Sequence, residues 1–252
     1  MRISSIIIAK DEELNIGRCL SSLSECIDET IVIIDEDSSD KTEEIVKSFQ
    51  TVKYYKLKWQ GFSKTKQHAV SLTTNDWILW IDADEALTRE LEKEIDNFKS
   101  TKPKLNAYSM KRRSYFLGRW IKHSGWYPGR VTRLFNKNFV SFSENDVHEH
   151  LVVNGETGQL KNDLEHFTDP TISHYFQKYN KYTSLAAEEM FKRNKNFSIL
   201  DVTLRPFSLF FKMFIFKAGF LDGLQGFILA VFSSAYVFTK YSKLWELNRK
   251  DK

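Results

Sequence analysis

Cysteine, proline and glycine are scarce in this chain of 252 residues, which has 2 Cys, 4 Pro and 10 Gly. Cys19 and Cys26 are too few for a disulfide framework or a cysteine-rich zinc site, which favours a reducing compartment. So little glycine and proline excludes a collagen-like or low-complexity chain, and a hydrophobic content of 42% excludes wholesale disorder. We therefore expect a folded protein with a substantial core.

Two common phosphate-binding motifs are also absent. No G-x-G-x-x-G follows the first apolar run, and G-x-x-x-x-G-K-[ST] does not occur, which disfavours dinucleotide dehydrogenases and P-loop NTPases. The apolar run after Met1 is short and ends at the charged stretch 10–13 without a small-residue cleavage site. A signal peptide is therefore not expected.

Charge is unevenly distributed along the chain. The net charge of +4 lies in residues 201–252, where eight Lys and Arg stand against four Asp and Glu, and this segment also holds nine of the twenty Phe. The remainder is neutral and offers no basic surface for nucleic acid, so no nucleic-acid partner is expected. A basic, Phe-rich end indicates that this part of the protein lies in a different environment from the rest of the chain.

Apolar periodicity alternates between strand and helix in the first hundred residues. β-Branched or apolar runs predict strands at 3–8, 30–34, 52–57 and 77–81, and helical spacing predicts helices at 14–23, 41–49, 62–72 and 89–98. Asp40 and Glu43 are spaced as a capping box for the second helix. This alternation predicts an α/β fold, in which ligands bind beyond the carboxyl ends of the parallel strands.

Acidic residues follow two of these strands. Asp35-Glu36-Asp37 comes after the second, and Asp82-Ala83-Asp84-Glu85 comes after the fourth. Like charges side by side are costly unless a cation or solvent offsets them, and oxygen ligands of this kind suit Mg²⁺ or Mn²⁺. The alternative is a solvated turn whose acids favour the N-terminus of the next helix.

The later parts of the chain differ in character. Residues 106–169 show an irregular, aromatic-rich pattern, and residues 173–193 predict an amphipathic helix. Residues 223–239 then run without a charge, at the lower limit for a membrane-spanning helix, and residues 207–216 are nearly all apolar. We favour helices that lie in a membrane interface over a buried helical hairpin or a single-pass anchor, both of which stay open.

Several motifs, taken in order, resemble family 2 glycosyltransferases. The strand ending at Asp35, the turn 38–42, Gly61 with Lys66-Gln67, and the stretch 77–85 (WILWIDADE) are similar to the nucleotide-binding half of that family. Further motifs are similar to its branch of lipopolysaccharide-core β-1,4-glucosyltransferases; they lie at 116–120, 125–128, 133–135, 147–149, 219–223 and 240–245.

This resemblance implies a GT-A fold, which is a Rossmann-like mixed sheet flanked by helices, here with a C-terminal helical tail. Residues 1–105 would form the nucleotide-sugar-binding half, residues 106–196 the acceptor-binding half of the same domain, and residues 197–252 a membrane-associating tail. The implied donor-binding residues are Ala9, Lys10, Asp35, Lys66, Gln67, Asp82 and Arg133. Asp84 with Asp82 would hold the cation.

Some residues depart from the family pattern. The family usually has Gly at position 37 and Asn at position 67, which bear on donor contacts, and often Asp at position 129, which bears on the acceptor. Arg133 could equally be part of a surface ion pair.

An inverting glycosyltransferase needs one carboxylate base on the side of the sugar opposite the leaving group. We expect Glu149 to be that base, with Asp146 or Glu85 as alternatives. Trp126, Tyr127 and His148 are the expected acceptor contacts.

The sequence thus predicts a metal-dependent inverting glycosyltransferase, peripheral or monotopic on the cytoplasmic face of the inner or plasma membrane. It would move a sugar, glucose from UDP-glucose by expectation, onto a lipid-linked saccharide such as a lipopolysaccharide core. A sugar-nucleotide nucleotidyltransferase and a catalytically degenerate membrane-bound scaffold are the alternatives.

Overall fold

A computed structural model describes residues 1–142 and 151–250. The chain divides into two compact units, which consist of Met1–Arg112 with Gly129–His166 (unit 1) and Arg113–Pro128 with Phe167–Lys252 (unit 2). The predicted division at residues 105 and 196 stays a prediction. The functional roles assigned to the three predicted stretches stay a prediction.

Unit 1 is built on a mixed sheet. Its first four strands are β1 (Ile3–Ala9), β2 (Glu29–Asp35), β3 (Val52–Leu57) and β4 (Trp77–Trp80), and β1 pairs in parallel with both β2 and β4. The other strands are β5 (Glu85–Leu87), β6 (Ala107–Phe116), β8 (Gly129–Asn136) and β11 (Thr157–Asp169), in the order β3-β2-β1-β4-β8-β6-β11-β5. Because β4 pairs antiparallel with β8, the sheet changes direction at β4.

The alternation of strands and helices in the first hundred residues is as predicted. The four helices between the strands are α1 (Ile16–Leu23), α2 (Thr42–Ser48), α3 (Phe62–Ser71) and α4 (Arg89–Lys99). Successive residues of β1 pack into different clusters: Ile3 and Ile7 lie with residues of α1 and α4, whereas Ile6 lies with Ala69 of α3. Both sides of the sheet are therefore covered, which explains the uninterrupted apolar runs of its central strands.

One stretch of the sequence gives no sign of its strands, and one local prediction is wrong. The irregular pattern at 106–169 conceals the long strands β6, β8 and β11, because sheet pairing places charged residues such as Lys111 and Arg112 at half-buried positions. The capping box at α2 is also absent. Asp40 Oδ1 instead accepts from the backbone N–H of Thr42, and Glu43 pairs with Lys47 and Lys56.

Smaller elements complete the strand list. β9 (Val140–Phe142) and β10 (Leu151–Val153) form a separate two-stranded sheet in unit 1, and β7 (Arg119–Trp120) pairs with the last residues of β6 in unit 2. Both cysteines lie buried in the core beside the sheet and form no disulfide. Burial raises the pKa of the Cys26 thiol to about 12.

Unit 2 is mainly helical. It contains α5 (Ile172–Lys192), α6 (Ile199–Val202), α7 (Leu204–Phe211), a π-helical turn (Lys212–Phe216), a 3-10 turn (Gly219–Asp222) and α8 (Gly223–Lys250). α5 confirms the amphipathic helix predicted at 173–193, and its residues pack along α8. A Cβ added at Gly226 would lie 2.0 Å from the carbonyl oxygen of Gly219, so the close approach of these two segments requires glycine.

A buried carboxylate fixes the turn before α8. Asp222 accepts hydrogen bonds from the backbone N–H groups of Lys122 (3.1 Å) and His123 (2.9 Å), and its Oδ1 lies 2.9 Å from His123 Nδ1. The segment Gly219–Arg249 is also long enough to cross a membrane and contains a stretch of 18 residues with a mean hydropathy of 1.4. Length and composition alone do not separate such a helix from a core helix.

Candidate functional site

The carboxyl ends of β1, β2 and β4 meet at one edge of the unit 1 sheet, because these neighbouring strands run in parallel. Ala9 ends β1, Asp35 ends β2, and Asp82 and Asp84 follow β4. The structure therefore brings the predicted donor-binding acids to a common edge, where α/β sheets bind their ligands.

Asp35 forms an ion pair at the base of this edge. Its buried carboxylate lies 3.2 Å from Lys10 Nζ, and its other oxygen accepts from the backbone N–H of Asp37 at 2.9 Å. The Lys10 side chain is half exposed, so this pair orders the buried carboxylate and presents one accessible ammonium group to the solvent.

The loops after β1 and β2 are linked by reciprocal hydrogen bonds. Asp11 donates its backbone N–H to Ser38 Oγ, and its carboxylate accepts from the backbone of Ser39. The N–H of Glu13 binds the Asp40 carboxylate, and the N–H of Lys41 binds that of Glu13. These hydrogen bonds, which the turn 38–42 both donates and accepts, hold the two loops together beside Asp35.

Asp82 is engaged by protein groups on both oxygens. Oδ1 accepts from Trp80 Nε1 at 3.1 Å, and Oδ2 pairs with the guanidinium of Arg133, which also lies over the Trp80 ring at 4.1 Å. Desolvation is the largest single influence and raises the pKa of Asp82, but the charges of Arg133, Lys66 and His166 together with the Trp80 hydrogen bond outweigh it and hold this pKa below its usual value. Asp82 stays ionised, and its side chain is 40% exposed.

Arg133 also neutralises a second carboxylate. Its Nη2 lies 2.8 Å from Oε1 of Glu85, a residue of β5 with a fully buried side chain. Glu85 Oε2 in turn accepts from the backbone N–H of Asp82. Desolvation raises the pKa of Glu85 in spite of Arg133. Arg133 is therefore a buried partner of both acids and not part of a surface ion pair, and the burial of Glu85 disfavours it as a catalytic base.

Asp84 faces a different partner. One of its oxygens lies 3.4 Å from Nε2 of His166, which β11 brings there by pairing with Glu85 of β5. Among the described residues, no cluster of three or more His, Cys, Asp or Glu side chains is arranged to hold a metal ion. A cation that arrives with a diphosphate needs only one or two protein ligands, and the carboxylate of Asp84 beside an imidazole fits that requirement. The role of Asp82 as a second ligand stays a prediction.

The two residues predicted on α3 point in different directions. Lys66 is buried, with Nζ 3.6 Å from the centre of the Trp80 ring, and so belongs to the cluster around Asp82. Gln67 is exposed and lines a separate small cavity with Val70, Lys137 and other residues. The structure does not bring Gln67 together with the donor-site cluster, and its donor role stays a prediction.

The predicted acceptor residues are described in part. In unit 2, Trp126 packs edge-on against Phe116 at 6.2 Å, and Tyr127 packs edge-on against Trp120 at 5.4 Å. Trp120 also has the guanidinium of Arg113 at 4.4 Å from its ring. The aromatic residues of this segment therefore pack on one another. The predicted base Glu149, its alternative Asp146 and the acceptor contact His148 lie outside the described residues.

Two members of the cluster were not predicted as functional residues. The sequence pattern places Trp80 only in a buried strand. Its ring nevertheless packs against the charged groups of Arg133 and Lys66, and its Nε1 donates a hydrogen bond to Asp82. His166 reaches Asp84 through the pairing of β11 with β5, which lie about eighty residues apart in sequence. No short stretch of sequence reveals this strand pairing. Trp80 does have a local signal, because it stands two residues before the Asp-x-Asp stretch.

Comparison with known proteins defines the class. A family model for glycosyl transferase family 2 matches residues 4–182. An uncharacterised glycosyltransferase of Rickettsia typhi, RT0209, is 30% identical over 262 residues, which cover 100% of this chain and 89% of that protein. The chain belongs to glycosyl transferase family 2.

Two further proteins are similar to this chain, one in sequence and one in fold. The lipopolysaccharide core biosynthesis glycosyltransferase LpsC of Rhizobium meliloti is 26% identical, with 97% of this chain and 92% of LpsC covered. The structure of S. aureus TarS 1–349 in complex with UDP-GlcNAc has a TM-score of 0.50 at 14% identity and covers 100% of this chain and 93% of that one. The predicted family and the predicted mixed-sheet GT-A fold with a long apolar C-terminal helix are confirmed.

Proposed function

We propose that this family 2 glycosyltransferase transfers a hexose from a UDP-sugar, glucose from UDP-glucose, to a lipid-linked saccharide such as a lipopolysaccharide core, with inversion at the anomeric carbon. The observation that carries the proposal is the acidic edge of unit 1, where Asp35 and Asp84 follow neighbouring parallel strands. This edge is where a sheet of this type binds its nucleotide ligand.

Asp35 and Lys10 support a uridine donor. A buried carboxylate held by Lys10 and by the Asp37 backbone is an ordered acceptor for hydroxyl or imide hydrogens. Ala9 lies beside them and has no bulky side chain that would block a flat base. TarS, which shares the fold, was solved with UDP-GlcNAc, and this supports a uridine nucleotide here as well.

The diphosphate is assigned to the end of β4. Asp84, with His166 beside it and Asp82 as the further predicted ligand, would hold Mg²⁺ or Mn²⁺ there. When bound, the cation would supply Lewis-acid stabilisation of the departing diphosphate. Arg133 fixes the position of Asp82 through its ion pair, and Lys66 adds a buried positive charge close to the same cluster.

The acceptor side of the reaction is assigned to Glu149. A carboxylate general base there would take the proton of the attacking hydroxyl while that oxygen attacks the anomeric carbon. Trp126, Tyr127 and His148 are the proposed acceptor contacts. The lipopolysaccharide-core role named for LpsC supports an acceptor of the same class.

Unit 2 supports contact with a membrane, which we propose to be a peripheral, monotopic attachment on the cytoplasmic face. Phe207, Phe211 and Phe216 are 68%, 52% and 81% exposed, and apolar side chains exposed on neighbouring helical turns are typical of a membrane-contacting surface. Lys212 and Lys217 lie between or beside them, where they would meet anionic headgroups.

A donor screen followed by a base variant tests the proposal. We expect UDP-glucose to be turned over in preference to other nucleotide sugars when a lipid-linked core saccharide is supplied. Glu149→Gln should abolish turnover while donor affinity, measured by calorimetry, stays near the wild-type value. Glu156→Gln, an exposed acid on the same part of the chain, is the matched control and should keep wild-type turnover.

The outcomes separate the alternatives. Wild-type turnover by Glu149→Gln would place the base elsewhere. No transfer of any sugar by a protein that still binds membranes would favour the degenerate scaffold. Formation of a nucleotide sugar from a nucleoside triphosphate and a sugar phosphate would favour the nucleotidyltransferase, which membership of a glycosyltransferase family argues against.

A further inference from the structure

Unit 2 contains a cavity of about 530 Å³ with a cationic lining. Lys195, Arg205, Lys212 and Lys240 contribute positive charges, and Asp201 is the one carboxylate among the described lining residues. None of these residues belongs to the proposed donor or acceptor site. The charge of the cavity therefore needs its own explanation.

Arg205 and Lys240 both lie near the same aromatic ring. The guanidinium of Arg205 and Nζ of Lys240 each lie 5.3 Å from the centre of the Tyr241 ring. Burial, and then the nearby charge of Arg205, lower the pKa of Lys240. A positive charge near another is costly unless an anion offsets it, and Asp201 pairs only with Arg205.

Asp201 is already used by other groups. One of its oxygens pairs with Arg205, and the other accepts from the backbone N–H of Ser198 at the start of α6. Within residues 1–142 and 151–250, no carboxylate lies within ion-pair distance of Lys195, Lys212 or Lys240. Three ammonium groups at the cavity thus lack a negative partner from the described chain.

The helix that lines this cavity also lines an apolar groove. α7 contributes Arg205 and Ser208 to the cavity, while Phe207, Phe210 and Phe211 contribute to a groove of about 680 Å³ on its other side. α8 completes both, with Lys240 and Tyr241 in the cavity and Phe238 in the groove. The cationic cavity and the apolar groove therefore lie on different sides of α7. A lipid with a charged headgroup and acyl chains needs both kinds of surface.

We propose that the cationic cavity binds the phosphate of an anionic phospholipid while the apolar groove contacts the acyl region of the same membrane. Exposed Leu200 and Leu204 also line the cavity, which suits a phosphate with an acyl chain attached better than a free phosphate. The inference rests on the membrane contact in the proposed function and adds a defined site to it. It does not depend on the donor, the cation or the catalytic base.

Vesicle binding by the full-length chain tests the site. The probes are vesicles of phosphatidylcholine alone and vesicles that also contain phosphatidylglycerol. We expect Lys212→Gln/Lys240→Gln to bind the anionic vesicles roughly five- to thirtyfold more weakly than wild type and the neutral vesicles equally well. Lys102→Gln/Lys104→Gln removes the same charge from exposed positions of unit 1 and should keep wild-type affinity.

A soluble lipid separates the headgroup from free phosphate. Dihexanoyl phosphatidylglycerol below its micelle concentration should bind wild type in calorimetry, glycerol phosphate should not compete with it, and the lysine variant should lose the binding. Lys212→Gln alone, at an exposed position, serves if the double variant does not give the wild-type near-ultraviolet circular dichroism spectrum. This single variant should lose less affinity for the soluble lipid than the double variant.

Several results would overturn the proposal. Equal weakening by the Lys102/Lys104 control would mean that only overall charge matters, and competition by glycerol phosphate would mean that the site takes free phosphate. Equal wild-type binding to both kinds of vesicle would remove the phosphate site but leave the apolar membrane contact. Binding of the soluble lipid without binding to any vesicle would leave the phosphate site but overturn the membrane contact of the groove, and with it the membrane attachment in the proposed function.

Discussion

Arg133 and Glu85 form a buried ion pair, with Nη2 2.8 Å from Oε1 and side chains that are 5% and 0% exposed. The desolvation of two charges is compensated only when both partners are present, so removal of one leaves an uncompensated charge in the core. Asp82 is the third member of this group and reaches the edge of the sheet. The pair thus links the stability of unit 1 to the position of a predicted donor-site acid.

Arg133→Met should lower the free energy of unfolding by about 3–5 kcal/mol, because it leaves Glu85 buried without a counter-charge. Urea denaturation measures this change. The double variant Arg133→Met/Glu85→Leu removes both charges and should regain much of the loss. A single variant within about 1 kcal/mol of wild type would show that Glu85 accepts a proton at little cost.

Glu29 should make folding stability depend on pH. Burial would raise its pKa, but hydrogen bonds from Ser4, Thr74 and Lys53 outweigh this and lower the pKa to about 2. A lowered pKa in the folded state stabilises the protein above the unfolded value, near 4.5, and this contribution is lost as the pH falls towards 2.

Glu29→Gln should therefore cost about 2 kcal/mol of folding stability near neutral pH and almost nothing near pH 2. Denaturation by urea at a series of pH values measures the difference. The exposed Glu44→Gln is the control and should differ little from wild type throughout. A loss of stability that does not depend on pH would show that the Glu29 charge is not responsible.

Asp84→Ala should abolish Mn²⁺-dependent binding of UDP, because it removes the carboxylate assigned to the cation. Calorimetry with and without Mn²⁺ measures the effect, and binding without metal should be unchanged. Asp76→Ala is a matched control, since Asp76 is exposed at the opposite end of the same strand. Equal Mn²⁺-dependent affinity in Asp84→Ala and wild type would refute the metal role.

Replacing Phe207, Phe211 and Phe216 by Ser should weaken vesicle binding by at least about a hundredfold, since each phenyl group loses a favourable transfer into the acyl region. Folding stability should change little because all three side chains are at least half exposed. Co-sedimentation with vesicles measures the affinity. Phe139→Ser, at a similarly exposed Phe of unit 1, should bind like wild type; an equal loss in this control would contradict the assignment.

Much of unit 1 follows from local pattern. Apolar β-branched runs alternate with helical spacing, and each run lies in a strand because both sides of the sheet need cover. The acids at 35 and 82–85 are placed at strand ends by the same pattern. Residues 106–169 were not predictable in this way, because strand pairing partly buries charged residues such as Arg112 and so breaks the alternation on which the prediction depends.

The residue pattern is enough to predict the order of strands and helices in the first hundred residues, the acidic positions at the sheet edge and the Phe-rich character of the C-terminal helices. Which charges neutralise one another follows from the folded arrangement alone. Arg133 could have formed a surface ion pair, and it is β8 beside β4 that buries it between Asp82 and Glu85, whereas its predicted contact with the donor stays a prediction. Periodicity records which side of an element is apolar, whereas a contact between distant charges depends on strand pairing that no short stretch of sequence encodes.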